Sequence, residues 1–197
     1  MRYDAGHKQR TRAKVLKEAA RAIRSEGPHR VGVAAVMAKA GLTHGGFYAH
    51  FDSKDDLVAA TMAQMFDEAL ATFDHFTVGK APAAALRAYV DFYLSPRHRD
   101  AHDTGCPLPS LSADLPRLDQ AARTGFAHGI ERLTEALAGL IAAFGRDAAD
   151  EVASSALAEM VGAVSLARAI PDAKRSNAVL KHSRDALKHR LGIVEKE

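Results

Sequence analysis

The stretch GLTHGGFYAHF, residues 41–51, carries two consecutive glycines, two histidines and a tyrosine. Each glycine inside a helix costs roughly 1 kcal/mol relative to alanine. In a helix buried in a core nothing offsets this cost. In a helix whose backbone must approach another molecule, the absence of side chains is an advantage that offsets it. The stretch therefore predicts a short helix that works at a surface.

Two helices are predicted upstream of this stretch. From Thr11 to Ile23, apolar residues recur every three or four positions, which makes one helical face. Gly27-Pro28 ends this first helix, because glycine suits a helix C-terminus and proline cannot continue a helix. A short apolar helix from Val31 to Ala40 follows, and Gly41 ends it.

The turn after Gly41 leads into a third helix that runs to about residue 50. Leu42 is the apolar residue expected to fix this turn to a small core, and Thr43 is expected to cap the third helix by accepting a backbone hydrogen bond. Two short helices joined by such a glycine-containing turn form a helix-turn-helix. Ser53 and Asp56 then have capping-box spacing and open a long helix.

Charge is distributed unevenly along the chain. Residues 1–50 contain 10 lysines and arginines against 3 acidic residues, whereas residues 51–197 contain 17 against 21, and the chain as a whole has a formal net charge of +3. A basic N-terminal quarter on a mildly acidic remainder is typical of a segment that meets a polyanion. A solvated basic helix face would give the same pattern.

A helix-turn-helix lays its second helix in the major groove of DNA, with the first residues of that helix at base edges and phosphates. The glycines would let the backbone approach the duplex, and the basic start of the first helix would hold the flanking phosphates. Phe47 and Phe51 form the side expected to be buried. The residues expected to contact DNA are Arg10, Arg12, Lys14, Thr43, His44, Gly45, Gly46, Tyr48, His50 and Lys54.

Helical periodicity also dominates the rest of the chain. Helices are expected over 81–94, along a long apolar stripe from Leu115 to Phe144, over 147–170 and over 176–191, with an irregular stretch at 96–110. The predicted fold is therefore all-α, with about nine helices and no strand. Residues 1–56 are expected to form a three-helix DNA-binding domain, and residues 57–197 a second, larger helical domain.

Residues about 8–56 resemble the DNA-binding domain of the TetR family of bacterial transcriptional regulators. The family pattern is roughly A-G-[VL]-[ST]-x-G-x-[FL]-Y-x-H-F-x-x-K-x-x-L. The matching positions here are Ala40, Gly41, Leu42, Thr43, Gly45, Phe47, Tyr48, His50, Phe51, Lys54 and Leu57. The match covers about a quarter of the chain.

This resemblance implies a homodimer that binds double-stranded operator DNA and leaves it when a small-molecule inducer binds the C-terminal domain. It also implies that the last two long helices, about 147–170 and 176–191, pair with those of a second copy. The small residues of the first of these helices suit close helix approach, although both helices would also cover a monomer core. A repressor is expected, and an activator or a regulator without a ligand stays open.

Inducer identity cannot be inferred from these residues, but a cavity between the C-terminal helices is expected to be apolar with one or two polar groups. Tyr89 or Tyr93 could supply a hydroxyl, although most of the apolar candidates would equally suit an ordinary core. The residues expected to line the cavity are Met65, Phe66, Tyr89, Phe92, Tyr93, Cys106, Phe126 and Met160.

Cys106 allows a second mode of regulation. A cysteine at a helix N-terminus can have a lowered pKa and react with electrophiles or oxidants, so a thiol-based redox or electrophile sensor is the alternative function. A small buried hydrophobe is the plainer interpretation of a free cysteine. His98, His102 and Cys106 are spaced four apart with Asp103 between them, but Gly105 and the flanking prolines favour a loop, so no metal ion or other cofactor is expected.

Other classes of protein are disfavoured. No run of about 18 apolar residues occurs, so no membrane span is expected, and the polar, basic N-terminus is unlike a secretory signal. The single cysteine excludes an internal disulfide and fits the cytoplasm. A small all-α enzyme is the competing class, but the chain contains no P-loop, G-x-G-x-x-G, H-E-x-x-H or G-x-S-x-G motif, and no catalytic residue is expected.

Overall fold

The structure, a computed structural model, describes residues 5–194, and this part of the chain forms nine α-helices and two short 3₁₀ helices without any strand. The all-α prediction is thus confirmed. The α-helices are α1 (Ala5–Glu26), α2 (Val33–Lys39), α3 (Lys54–Thr77), α4 (Pro82–Tyr93), α5 (Pro96–Asp100), α6 (Leu108–Leu111), α7 (Gln120–Ala143), α8 (Ala149–Ala169) and α9 (Ala173–Leu191). The 3₁₀ helices are His44–Ala49 and Leu115–Arg117.

The turn between α2 and the first 3₁₀ helix has the hydrogen bonds of a Schellman motif. Gly41 adopts a left-handed φ of 75°, which an L side chain would strain. The Leu42 N–H donates to the Met37 carbonyl at 2.9 Å, and the Gly41 N–H donates to the Ala38 carbonyl at 3.0 Å. Leu42 also packs against the core, as the sequence predicted.

Thr43 stands at the cap of the 3₁₀ helix, but its side chain makes no capping hydrogen bond, so that part of the prediction is wrong. The Gly46 N–H, which the hydroxyl would have satisfied, donates instead to the Thr43 carbonyl at 3.1 Å. This bond to the third residue back is the 3₁₀ pattern. The Thr43 side chain consequently stays exposed.

Ser53 caps α3 as predicted, because its hydroxyl accepts a hydrogen bond from the Asp56 N–H at 3.0 Å. The Asp56 carboxylate accepts from the Asp52 N–H, one residue before the usual capping-box donor, at 3.1 Å. The helix that begins here is continuous to Thr77. The proposed division after residue 56 falls within its first turn, and α3 belongs to both proposed domains.

The stretch at 96–110 is more regular than expected, because it contains α5 and α6. Ser95 caps α5 by accepting the His98 N–H at 3.2 Å, and Pro96 stands at the first helical position, where its missing N–H costs nothing. α9 likewise begins earlier than predicted, at Ala173, because the Asp172 carboxylate accepts the Arg175 N–H at 2.7 Å.

α3 is the centre of the molecule. It contacts α1 on one side and α4 and α7 on the other, while α8 packs between α7 and α9. By length and composition α8 also qualifies as a membrane span, with a mean hydropathy of 1.2, so the expectation of no such segment was too strong. The core helix of a soluble protein passes the same test, and the face of α8 that carries Ala153, Leu157 and Met160 is buried.

The contact of α3 with α7 requires a glycine. A Cβ atom on Gly129 would lie 2.2 Å from the Phe66 ring. That ring is 1% exposed and packs edge-on against Phe126 at a centroid distance of 5.0 Å, so it has little room to move. A Cβ atom on Gly139, on the same helix, would meet no atom within 4 Å.

Gly129→Ala should therefore lower the free energy of unfolding by about 1–3 kcal/mol, as overpacking of a core does. Gly139→Ala is the matched control and should raise it by up to about 1 kcal/mol, since alanine is the better helix former. Urea unfolding followed by circular dichroism measures both. Equal effects of the two substitutions would contradict the tight α3–α7 contact.

Candidate DNA-binding surface and ligand cavity

The 3₁₀ helix His44–Ala49 is anchored by one side and exposed on the other. Phe47 and Phe51 are 2% and 1% exposed, and their rings stack at 5.6 Å, which confirms the predicted buried side. Tyr48 is 70% exposed and touches Phe47 only edge-on. Thr43, His44 and Gly45 are also exposed. The segment thus presents polar groups and bare backbone outward from a fixed aromatic base.

Neither glycine of this helix is required by the packing of the chain itself. A Cβ on Gly45 would meet no atom within 4 Å, and one on Gly46 would meet the Met37 Cε at 3.7 Å and the Thr43 Oγ1 at 3.9 Å, which are ordinary contacts. Both also lie outside the left-handed φ region. The helical cost of these glycines therefore has no internal explanation, which agrees with an approach by another molecule.

The basic start of α1 lies beside the end of the 3₁₀ helix. The Arg12 guanidinium carbon stands 4.7 Å from the centre of the Phe51 ring, a cation–π contact. Burial, and then the charges of Lys8 and Arg12, lower the pKa of His50. Arg10 and Lys14 are exposed along the same helix. Lys8, Arg12 and the glycine-bearing helix therefore share one surface.

Lys54 has a role inside the protein that sequence reasoning missed. Its ammonium donates a hydrogen bond to the His29 carbonyl at 3.0 Å, which joins the start of α3 to the loop between α1 and α2. An ammonium has three donors, so a phosphate contact is compatible with this bond. His50 Nδ1, by contrast, is buried without a partner in the described part of the chain.

A cavity opens between α3, α4 and the segment that follows α5. Its inner chamber, about 30 Å³, is lined by Arg24, Glu68, Ala69, Thr72, Tyr89, Phe92, Tyr93, His98, Thr104, Gly105 and Cys106. An outer groove of about 400 Å³ shares Thr72, Phe92 and His98 with the chamber and adds Phe76 and Arg97. Four predicted cavity residues, Tyr89, Phe92, Tyr93 and Cys106, line the inner chamber.

The other four predicted cavity residues lie in the core instead. Met65 and Met160 are fully buried, and Phe66 packs against Phe126. None of them lines the inner chamber or the outer groove. Apolar side chains on helix faces were the only signal available, and that signal is the same for core and cavity.

His98 is the central residue of the cavity that sequence reasoning did not place there. It is 2% exposed, its Nδ1 lies 2.8 Å from the Tyr93 carbonyl, and its Nε2 lies 3.1 Å from the Cys106 backbone nitrogen. Since the Cys106 N–H donates to Nε2, the proton must sit on Nδ1, which donates to the carbonyl. Burial lowers the pKa of His98 to about 4, against the smaller raising effect of the Tyr93 carbonyl.

Two arginines, the buried Arg24 and the half-buried Arg168, lie at or near the cavity. The side chain of Arg24, from α1, is 2% exposed and pairs with Glu68 of α3 at 2.7 Å. Arg168, from α8, donates to the Arg99 carbonyl at 2.9 Å and to the Ser110 hydroxyl at 2.8 Å. An arginine in a helical sequence is normally a surface group. The interior positions of Arg24 and Arg168 therefore become visible only in the packed structure.

Cys106 does not have the lowered pKa on which the alternative of a thiol sensor depends. The residue is 8% exposed, and burial raises the pKa of its thiol, although the nearby Tyr93 hydroxyl acts in the opposite direction. It precedes only the four-residue α6. His98 uses both ring nitrogens in hydrogen bonds and His102 is exposed, and no three metal-binding side chains come together anywhere in residues 5–194.

The His98 geometry makes stability depend on pH. The unfolded chain binds the proton near pH 6.5 and the folded chain only near pH 4, so the free energy of unfolding should fall as the pH drops through this window, by up to roughly 3 kcal/mol. His98→Gln keeps one donor and one acceptor but cannot be protonated. We expect this variant to lose less stability between pH 7 and about 4.5. Parallel pH profiles in urea unfolding would contradict the assignment.

Comparison with known proteins agrees with this geometry. Residues 15–61 match the family model described as "Bacterial regulatory proteins, tetR family". A TetR transcriptional regulator from Chloroflexus aurantiacus is 25% identical, with 94% of this chain and 96% of that chain covered and a TM-score of 0.80. No curated protein sequence matches the chain significantly.

Two further solved structures share the fold. The reduced form of E. coli NemR is 18% identical, with 91% of this chain and 96% of that chain covered and a TM-score of 0.80. A TetR-family regulator from Agrobacterium tumefaciens is 24% identical, with 91% and 98% covered and a TM-score of 0.75. The family match lies on the helix-turn-helix and the likeness in fold extends over the whole chain, so the resemblance to TetR-family transcriptional regulators is confirmed for the DNA-binding segment and for the fold.

Proposed function

We propose that this protein is a dimeric repressor that binds a palindromic operator and leaves it when a small molecule occupies the cavity beneath α1. The observation that carries the DNA-binding half is the glycine pair, the exposed Gly45 and the half-buried Gly46, which nothing in the described part of the chain requires. They lie next to the basic start of α1, where Arg12 covers Phe51. Free backbone N–H groups and cations on one surface are what a DNA phosphate needs.

The path from ligand to DNA is short. Arg24 ends the same helix whose first turns carry Arg10, Arg12 and Lys14, and it also lines the inner chamber. A molecule that displaces the Arg24–Glu68 contact would shift α1 relative to α3. A ligand can exert such control only if it binds the protein more tightly with α1 in one position than in the other.

The dimer is proposed through α8 and α9, as the family resemblance implies. Leu166 of α8 is 62% exposed. Ser154, Ser155 and Ala158 are exposed on the same helix, and small side chains let a second helix come close. A two-fold dimer also supplies the symmetry that a palindromic operator demands. Such a regulator acts in the cytoplasm, with DNA as its macromolecular partner and no catalytic step.

Selection from random DNA duplexes tests the function without knowledge of the operator. We expect enrichment of palindromic sites, two chains for each duplex, and a log–log salt slope of roughly −0.9 for every phosphate contacted. Gly45→Ala should fold normally, because a Cβ there meets nothing within 4 Å, yet weaken binding about tenfold or more. Gly139→Ala, equally unhindered but on α7, is the matched control and should bind DNA like the parent.

Failure to enrich any sequence, together with a flat salt dependence, would remove the DNA-binding function. Unchanged affinity in Gly45→Ala would instead remove the close approach at that helix and leave the function standing. Fluorescence anisotropy on a selected duplex separates these two cases.

A thiol sensor at Cys106 is the second candidate, because the thiol lines the same chamber as Arg24 and Tyr93. Its burial and raised pKa predict slow chemistry. We expect iodoacetamide to alkylate Cys106 more slowly than free cysteine at pH 7.5, and DNA binding to survive brief treatment. Rapid release of DNA that Cys106→Ser abolishes would favour the sensor instead.

A further inference from the structure

Two buried hydrogen-bond donors at the inner chamber lack acceptors. The Tyr93 hydroxyl and the Arg24 Nε are both buried, and neither has a hydrogen-bond partner among the described residues. Tyr93 is 1% exposed and the Arg24 side chain 2%. Both residues line the chamber. A buried polar group without a partner is unfavourable, so two of them at one cavity call for an explanation.

Neighbouring groups do not supply the missing acceptors. The Glu68 carboxylate already accepts from Arg24 Nη2 at 2.7 Å and from Gln64 Nε2 at 3.3 Å. The His98 ring uses both nitrogens. The Cys106 thiol interacts with the Tyr93 hydroxyl but without the geometry of a hydrogen bond, and sulfur is a weak acceptor in any case. The Tyr93 hydroxyl and Arg24 Nε are thus available to donate hydrogen bonds to an acceptor group of a ligand in the chamber.

Near the chamber, the half-buried Arg168 has no carboxylate partner among the described residues. Arg24 is paired with Glu68 at 2.7 Å, and Arg99 with Asp100 at 2.7 Å. Arg168 is bonded only to two carbonyls and a hydroxyl, and within the described residues no carboxylate lies within 4.0 Å of it. Its charge acts on both Tyr93 and Cys106. An anionic acceptor is therefore favoured over a neutral one.

The outer groove is suited to a flat ring. Phe76 and Phe92 stack with their centroids 4.2 Å apart, and the Phe92 ring also lies 5.2 Å from that of His98. Both phenylalanines line the groove, whose volume of about 400 Å³ is ample for a single-ring molecule. The inner chamber of about 30 Å³ holds two waters, or one group of the size of a carboxylate.

From this arrangement we propose that the cavity binds a small aromatic carboxylic acid as its anion. The carboxylate enters the inner chamber and accepts hydrogen bonds from Tyr93 Oη–H and Arg24 Nε–H, while the ring lies against Phe92 in the outer groove. That this molecule is the inducer rests on the proposed function, whereas its binding to the cavity does not. Binding draws Arg24 toward the chamber and so acts on α1.

Titration calorimetry of the full chain with benzoate, and with benzamide as its neutral isostere, tests the ligand class. Benzoate should bind with a Kd of about 1 mM or lower, and benzamide at least tenfold more weakly. Tyr93→Phe should lose about tenfold in benzoate affinity while its thermal stability is unchanged or higher, because the lost hydroxyl had no partner. That combination separates a ligand contact from a folding defect.

Arg24→Lys keeps a positive charge for Glu68 but removes Nε, and it should weaken benzoate binding by a similar factor. Arg21→Lys is its matched control on the same helix, since Arg21 is exposed and paired only with Glu18. It should bind benzoate like the parent.

Equal benzoate affinity in the parent, Tyr93→Phe and Arg24→Lys would overturn the proposal, as would benzamide binding as tightly as benzoate. Absence of benzoate binding up to about 10 mM would overturn it too. The same preparations are tested on a selected DNA duplex. Intact DNA binding without benzoate binding refutes only the ligand class, whereas benzoate binding without DNA binding refutes only the regulator.

Discussion

The ion pair between Arg24 and Glu68 joins the two functional parts of this protein. Arg24 lies in the last turn of α1, whose first turns form the basic surface, and Glu68 lies in the middle of α3, which packs against α1, α4 and α7. A buried guanidinium stripped of its carboxylate typically costs about 3–5 kcal/mol. One charged contact that helps to hold α1 on α3 therefore lies at the edge of a cavity, where a ligand can reach it.

That placement explains why the cavity is polar at its inner end. A purely apolar pocket could also bind a ligand, but it would give that ligand no polar contact with α1. Here the chamber brings together Arg24, the Tyr93 hydroxyl and the His98 ring, while the aromatic groove outside it supplies area for binding. Polar groups of this kind are costly when unpaired, so their presence at a cavity is more informative than its size.

Local rules predicted the N-terminal part of the molecule well. Gly41 terminates α2 with a positive φ, Ser53 caps α3, and Phe47 and Phe51 turn inward, each because of interactions within a few residues along the chain. The two places where local rules failed are also instructive. Thr43 keeps a free hydroxyl because the helix it begins is 3₁₀, and Lys54 bonds to a carbonyl 25 residues away.

The sequence by itself determined the helical class, the helix-turn-helix and the basic surface, because periodicity, capping and charge are properties of neighbours along the chain. Only the tertiary structure decided what lies at the cavity. Met65, Phe66, Phe126 and Met160 lie in the core, while Arg24 and His98 were brought to the chamber from two different helices. Burial of a single polar side chain depends on which helices pack around it, and a pattern within one helix carries no record of that.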